Sequence, residues 1–235
     1  MNLVSTISNG LTKLRVSSFT RHIKLTNAEL ILLFDELNFI IHSVQQNDCT
    51  CNTFKQLQRG DGTLLSSEHQ LKLNEFYGKE GQIWTLIYKA TRDGFSASDF
   101  HRCCDNQDST ITVIQSTEGG YLFGGYTSVS WRSTEGYVLD PNNPFLFTLT
   151  NPHGIPSTKY SNKHSNYSIY AGNNYGPTFG GAHDLYISNN SQTNRNNYFG
   201  FPHSYNDTTN RGALTFTGDQ NFRTNEIEVY RLIET

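Results

Sequence analysis

With 235 residues the chain has room for one large β domain or two small ones, and its 35% hydrophobic and 13% aromatic residues can fill a sizeable core. The formal net charge is −3, from 18 basic and 21 acidic residues with no dense Lys/Arg run, which disfavours a phosphate-neutralising groove for nucleic acid. No apolar stretch approaches the ~18 residues of a membrane span, and Met1 to Phe19 lacks a signal-peptide core; both point to a cytosolic protein with no direct membrane insertion.

In chain order, residues 1–60 read as an N-terminal helical and linker segment and residues 61–235 as a β-rich domain, with the turn Gly60-Asp61-Gly62 at the boundary. Thr26-Asn27-Ala28-Glu29 is a capping box, in which hydroxyl and carboxylate satisfy each other's backbone amides. Behind it Leu30, Leu33, Phe34, Leu37, Ile40, Ile41 and Val44 recur at helical spacing as one apolar stripe. Such a helix either packs on the following domain or pairs with a copy of itself, so self-association through Leu30–Val44 is one of two expectations left open. Ser67-Glu68-His69-Gln70 repeats the capping form and predicts a short helix ending near Gly78.

Ile83 to Tyr88 then predicts a strand of strong β propensity, and Ser96 to Cys103 a helix. Short strands follow at Ile111–Ile114, Tyr121–Phe123, Phe145–Thr150, Tyr167–Tyr170, Leu185–Ile187, Leu214–Phe216 and Ile227–Leu232, with a polar loop over Asn189–Asn197. Strands this short between Gly, Asn and Pro turns predict a mainly β (α+β) fold. The expected form is a two-sheet antiparallel sandwich with a few marginal helices, preceded by the N-terminal amphipathic helix.

Possible chemistry is sparse. Gly94-Phe95-Ser96-Ala97-Ser98 lies where a hydrolase nucleophile elbow would lie, but Ser98 stands in place of the second glycine, so Ser96 reads better as a helix cap with Asp99 reciprocating. His101, Cys103, Cys104 and Asp105 lack zinc-ligand spacing, and no metal or cofactor is expected. The cysteines Cys49, Cys51, Cys103 and Cys104 read as reduced thiols. His183-Asp184 and the pair Glu226 and Glu228 are the best acid/base candidates. Two residues apart on a strand, the glutamates share one sheet face, and the plain expectation is a solvated face opposite a buried one. Gly119, Gly120, Gly124, Gly125, Gly180 and Gly181 form no phosphate loop and are expected at bulges or bends of a curved sheet.

Several segments together carry a resemblance. Leu86-Ile87-Tyr88-Lys89-Ala90, Asp93-Gly94-Phe95-Ser96, Phe123-Gly124-Gly125-Tyr126 with Trp131, Phe145-Leu146-Phe147, Phe179-Gly180-Gly181 with His183-Asp184-Leu185, and Glu226-Ile227-Glu228-Val229-Tyr230 resemble the TLDc domain family, in the family's order, from about Gly62 onward. The closing Tyr230-Arg231 departs from the Trp-Gly of many animal members and resembles divergent protist or invertebrate ones. The resemblance implies a sandwich of two antiparallel sheets, a link to protection against oxidative damage, and a protein partner in the vacuolar-type proton pump. It implies no established catalysis; Asp184 and Glu228 are the positions that would inherit any.

The resulting expectation is a cytosolic, non-catalytic interaction module. Two alternatives stand beside it: a hydrolase or antioxidant enzyme using Ser96, His183, Asp184 or Glu228, and a lectin-like sandwich using the Tyr and Asn residues between Tyr160 and Tyr205.

Overall fold

A computed structural model describes residues 64–79 and 81–233. The predicted helix over Leu30–Val44, its capping box and the boundary glycines lie outside the described residues.

The first element, α1 (Ser67–Tyr77), starts one residue earlier in its cap than the sequence pattern suggests. The Ser66 hydroxyl, not that of Ser67, accepts the amide of His69, and Gly78 ends the helix in the left-handed conformation at φ +88°. Strand β1 (Ile83–Lys89) runs into a single helical turn, α2 (Ala90–Asp93), and then α3 (Ala97–Cys104). Ser96 caps α3 as expected: its hydroxyl accepts the Asp99 amide at 3.1 Å while the Asp99 carboxylate accepts the Ser96 amide at 3.3 Å. Removing this cap in Ser96→Ala is expected to cost about 1 kcal/mol in chemical denaturation. Hydrogen bonding from Ser96 holds the Asp99 carboxyl below the usual carboxylate range. The stability it contributes is therefore complete above the ordinary carboxyl pKa and is lost as pH falls through the lowered one. An Asp99→Asn variant should show a correspondingly flatter acid limb.

The main sheet has six strands in the order β1, β10, β2, β3, β5, β6, antiparallel between every pair of neighbours. Its members beyond β1 are β2 (Thr110–Ser116), β3 (Leu122–Thr127), β5 (Phe145–Thr148), β6 (Thr158–Ser161) and the ten-residue β10 (Thr224–Ile233). The last strand is thus inserted between the first two. Two short ribbons, β4 (Gly136–Val138) with β7 (Ile169–Ala171) and β8 (Asn197–Tyr198) with β9 (Asn221–Phe222), supply further antiparallel pairs. The fold is mainly β, as expected, but the second layer is built from these ribbons and ordered loops rather than one continuous sheet. Leu185–Ile187 contributes only isolated bridges there, Phe179 to Leu185 and Tyr186 to Tyr198. Leu214–Phe216 is not a strand. Gly212–Leu214 is a 3₁₀ turn, because the Asp207 carboxylate gathers the amides of Thr209, Asn210 and Gly212 ahead of it.

Both faces of the main sheet are covered. On one, Leu73 and Phe76 of α1, with Leu65, pack on Ile111, Val113, Tyr126, Phe145, Phe147 and Tyr230. On the other, Phe123 meets Phe199, Phe216 and Phe222 at ring separations of 5.3, 5.6 and 5.3 Å, while Trp131 lies between Phe100 and Phe179. Each such pair adds about 0.5–1.5 kcal/mol beyond its buried area. The buried Trp131 also donates its indole N–H to Thr110 Oγ1 at 3.0 Å, so the ring enters the core with no polar group stranded.

Gly124 and Gly125 are not at a bulge. The β2–β3 register runs unshifted through them, and a Cβ on Gly124 would sit 1.9 Å from the backbone oxygen of Thr112. Close backbone approach, not curvature, requires glycine there. The irregularities fall instead between Leu86 and Tyr88 and between Thr224 and Glu226.

Candidate functional site

The segment from Phe179 to Leu185 closes on itself. Phe179 and Leu185 exchange both backbone hydrogen bonds, and the chain between them turns through Gly180 at φ +86° and His183 at φ +53°. This turn sends the two candidate acid/base residues in opposite directions. Asp184 drops into the core with no exposed surface, and its carboxylate accepts the amides of His203 at 2.6 Å, Ser204 at 2.8 Å and Tyr205 at 3.4 Å. Gly180 is the condition for that descent, since a Cβ there would lie 1.9 Å from Asp184 Oδ2. Burial holds the Asp184 carboxyl above the usual carboxylate range against the opposing pull of the three amides.

His183 stays half-buried near the surface, ringed by tyrosines. Ring separations are 5.2 Å to Tyr170, 5.7 Å to Tyr175, 5.5 Å to Tyr186, 6.2 Å to Tyr198 and 6.4 Å to Tyr137. Its Nδ1 is 3.0 Å from the Tyr198 hydroxyl, and Tyr186 stacks on it at an interplanar angle of 25°. Burial lowers the imidazole pKa, so the ring is neutral at pH 7. The hydroxyls of Tyr137, Tyr186 and Tyr198 are pushed up by burial and then by neighbouring tyrosines, Tyr175 among them each time, and that of Tyr170 by burial and then Glu135. Tyr137 anchors the group by donating its hydroxyl to the Gly181 carbonyl, and packs edge-on against Tyr167 at 5.1 Å. Tyr137 and Tyr167 remain 41% and 42% exposed. The result is an aromatic surface whose hydroxyls at Tyr137 and Tyr198 are held by the Gly181 carbonyl and His183.

The glutamate pair of β10 departs from expectation. Glu226 and Glu228 do share one sheet face, but both are buried, Glu228 under the chain entering α1 and Glu226 against Thr91 of α2. Glu228 pairs with Lys89 at 3.0 Å and accepts the Leu64 amide at 2.9 Å and the Tyr230 hydroxyl at 2.5 Å. Glu226 accepts the Thr91 amide at 3.0 Å and the Thr91 hydroxyl, with Lys89 at 3.9 Å. The alternation along β10 therefore encodes a buried polar seam tying β1 to β10, not a solvated face.

Ser96, His183, Asp184 and Glu228 do not come together. Ser96 bonds Ser98 and Asp99, His183 bonds Tyr198, Asp184 bonds loop amides, and Glu228 bonds Lys89, Leu64 and Tyr230. The serine has no histidine as base, and the histidine has no carboxylate orienting it. Of the other candidates, His101 contacts Asp105 at 2.7 Å and the carbonyls of Gly172 and Tyr175, and among the described residues no three His, Cys, Asp or Glu side chains gather as a metal site. Cys104 is buried and Cys103 partly so, both free, and burial pushes each thiol up, away from the reactive thiolate. Cys49 and Cys51 lie outside the described residues.

Fold and site together define a mainly β domain whose acidic signature residues hold it together and whose accessible feature is an aromatic face. The sequence model of the TLDc domain family matches residues 58–233. The chain belongs to that family, which is linked to protection against oxidative stress. The glycines and acids that carry the resemblance have structural roles here: Gly124 admits a close strand, Gly180 admits Asp184, and Glu228 anchors Lys89. No helix among the described residues is long and apolar enough to cross a membrane.

The tyrosine face was only half legible beforehand. The density of Tyr and Asn between Tyr160 and Tyr205 marks the region, but Tyr137 joins from β4, a three-residue strand that no periodicity announces.

Proposed function

We propose that this chain is a non-catalytic protein-interaction module of TLDc type, acting in oxidative-stress protection through contact with a subunit of the vacuolar-type proton pump. The observation that carries this reading is the tyrosine face around His183, with the polar candidates for catalysis separated from one another and held in structural hydrogen bonds. Tyrosines that are half-exposed and already fixed by their neighbours lose little side-chain freedom on docking, which is why such rings dominate binding energy at interfaces. Support for the pump as partner comes from family membership alone.

The test is a binding measurement between the purified full-length chain and the purified peripheral sector of the pump. Replacing Tyr137 and Tyr167 together by serine is expected to weaken binding about 100-fold, the size of a hot-spot loss. Thermal stability should fall modestly, by about 1 kcal/mol, as the Tyr137 hydroxyl no longer holds the Gly181 carbonyl. Ser96→Ala serves as the control and should bind like the parent. Undiminished binding by the double variant would remove the tyrosine face from the interface. A lectin-like use of the same rings, which could stack on sugar faces, would appear as saturable oligosaccharide binding lost in that variant.

A further inference from the structure

A cavity of about 230 Å³ opens between the end of α1, strands β5 and β6, and the segment 142–144; Tyr77, Tyr126, Phe145, Asn143, Asn162 and Lys159 are among the residues lining it. The rings form a continuous wall: Tyr77 meets Tyr126 edge-on at 5.3 Å, and Tyr126 stacks on Phe145 at 5.1 Å. None of the lining residues among those described is acidic.

Lys159 is the charged group of the site. Its ammonium donates to the Phe76 carbonyl at 2.5 Å and stands 4.6 Å above the Phe145 ring. The first contact caps an orphan carbonyl in the last turn of α1 and uses one of three N–H donors. The second is a cation–π contact, which offsets only part of the cost of removing an ammonium from water. Burial lowers the pKa of this amine. A partly desolvated cation with spare donors, in a concave site walled by rings, is complementary to an anion attached to an apolar body.

We infer that this cavity binds a carboxylate group, with the Lys159 ammonium as its counter-cation and the partly exposed Tyr77 ring packing against the apolar part of the acid. The same chemistry is offered by a free aromatic acid and by an Asp or Glu side chain of a docked protein, and the probes separate the two. This inference does not depend on the function proposed above.

The experiment is a titration of the full-length chain, followed by NMR or calorimetry, with three probes: benzoate, its neutral isostere benzamide, and N-acetyl-glutamate N-methylamide. At least one of the two carboxylates should bind saturably, and benzamide should bind about tenfold more weakly or worse than benzoate where benzoate binds, as expected on losing a charge-assisted contact. Binding by benzoate alone identifies a free acid as the ligand, and binding by the blocked glutamate alone identifies a protein side chain. Lys159→Arg should keep the preference for carboxylate over amide, and Lys159→Met should lose it. Because Lys159 also caps α1, the unmodified chain supplies an independent readout. The lysine amine deprotonates at alkaline pH while the carboxylates stay ionised, so affinity should fall as pH rises through the lowered amine pKa. Equal binding of benzoate and benzamide, no saturable binding of either carboxylate, or an affinity indifferent to alkaline pH would each overturn the inference.

Discussion

A Glu228→Ala variant is expected to unfold about 3 kcal/mol more easily than the parent, the lower end for breaking a buried ion pair, since Lys89 keeps Glu226 at 3.9 Å. Lys89 would lose its 3.0 Å partner, and the Leu64 amide and Tyr230 hydroxyl would lose their acceptor in the same stroke. In Lys89→Met with Glu228→Leu the loss should persist, because the buried Glu226, 3.9 Å from Lys89, is then left without its cation. Urea denaturation of the three proteins checks the sequence of stabilities. A Glu228→Ala protein within 1 kcal/mol of the parent would show that solvent reaches this seam and that its burial has been misjudged.

Gly124→Ala should be more severe. The added methyl would overlap the Thr112 carbonyl, which belongs to the paired backbone of β2 and cannot swing aside as a side chain would. Relief requires separating β2 from β3 in the middle of the sheet, and a loss beyond about 4 kcal/mol, or failure to fold, is the expected result. Gly78→Ala is the informative comparison. It meets nothing within 4 Å but demands a left-handed residue at φ +88°, so it should cost only about 1–2 kcal/mol. Thermal melts of the two variants separate steric overlap from backbone strain; comparable losses would falsify the distinction.

These variants also show where the sequence was readable. The Ser96–Asp99 box is local chemistry within four residues, and the Ile83 and Phe145 strands are dense in aromatic and β-branched residues, so each is recognisable without its surroundings. Strands β8 and β9 are two residues long, within Asn-rich chain, and exist only because each finds the other. The glutamates were placed on the correct common face, but period two says which residues share a face and nothing about what covers it. Over Glu228 that cover is the segment at Leu64, more than 160 positions distant. The same limit applies to the site: His183 and Asp184 are adjacent in sequence, yet one φ of +53° assigns one to the surface and the other to the core.

The insertion of β10 between β1 and β2 also has a bearing on synthesis. While the domain is being translated, β1 and β2 emerge long before the strand that joins them, each with a bare hydrogen-bonding edge and apolar side chains on view. The sheet can close only after residue 233 has cleared the ribosome exit tunnel. During that wait the nascent chain needs shielding from β-mediated aggregation, and a stop codon that removed β10 would leave the sheet split at its middle rather than trimmed at its border.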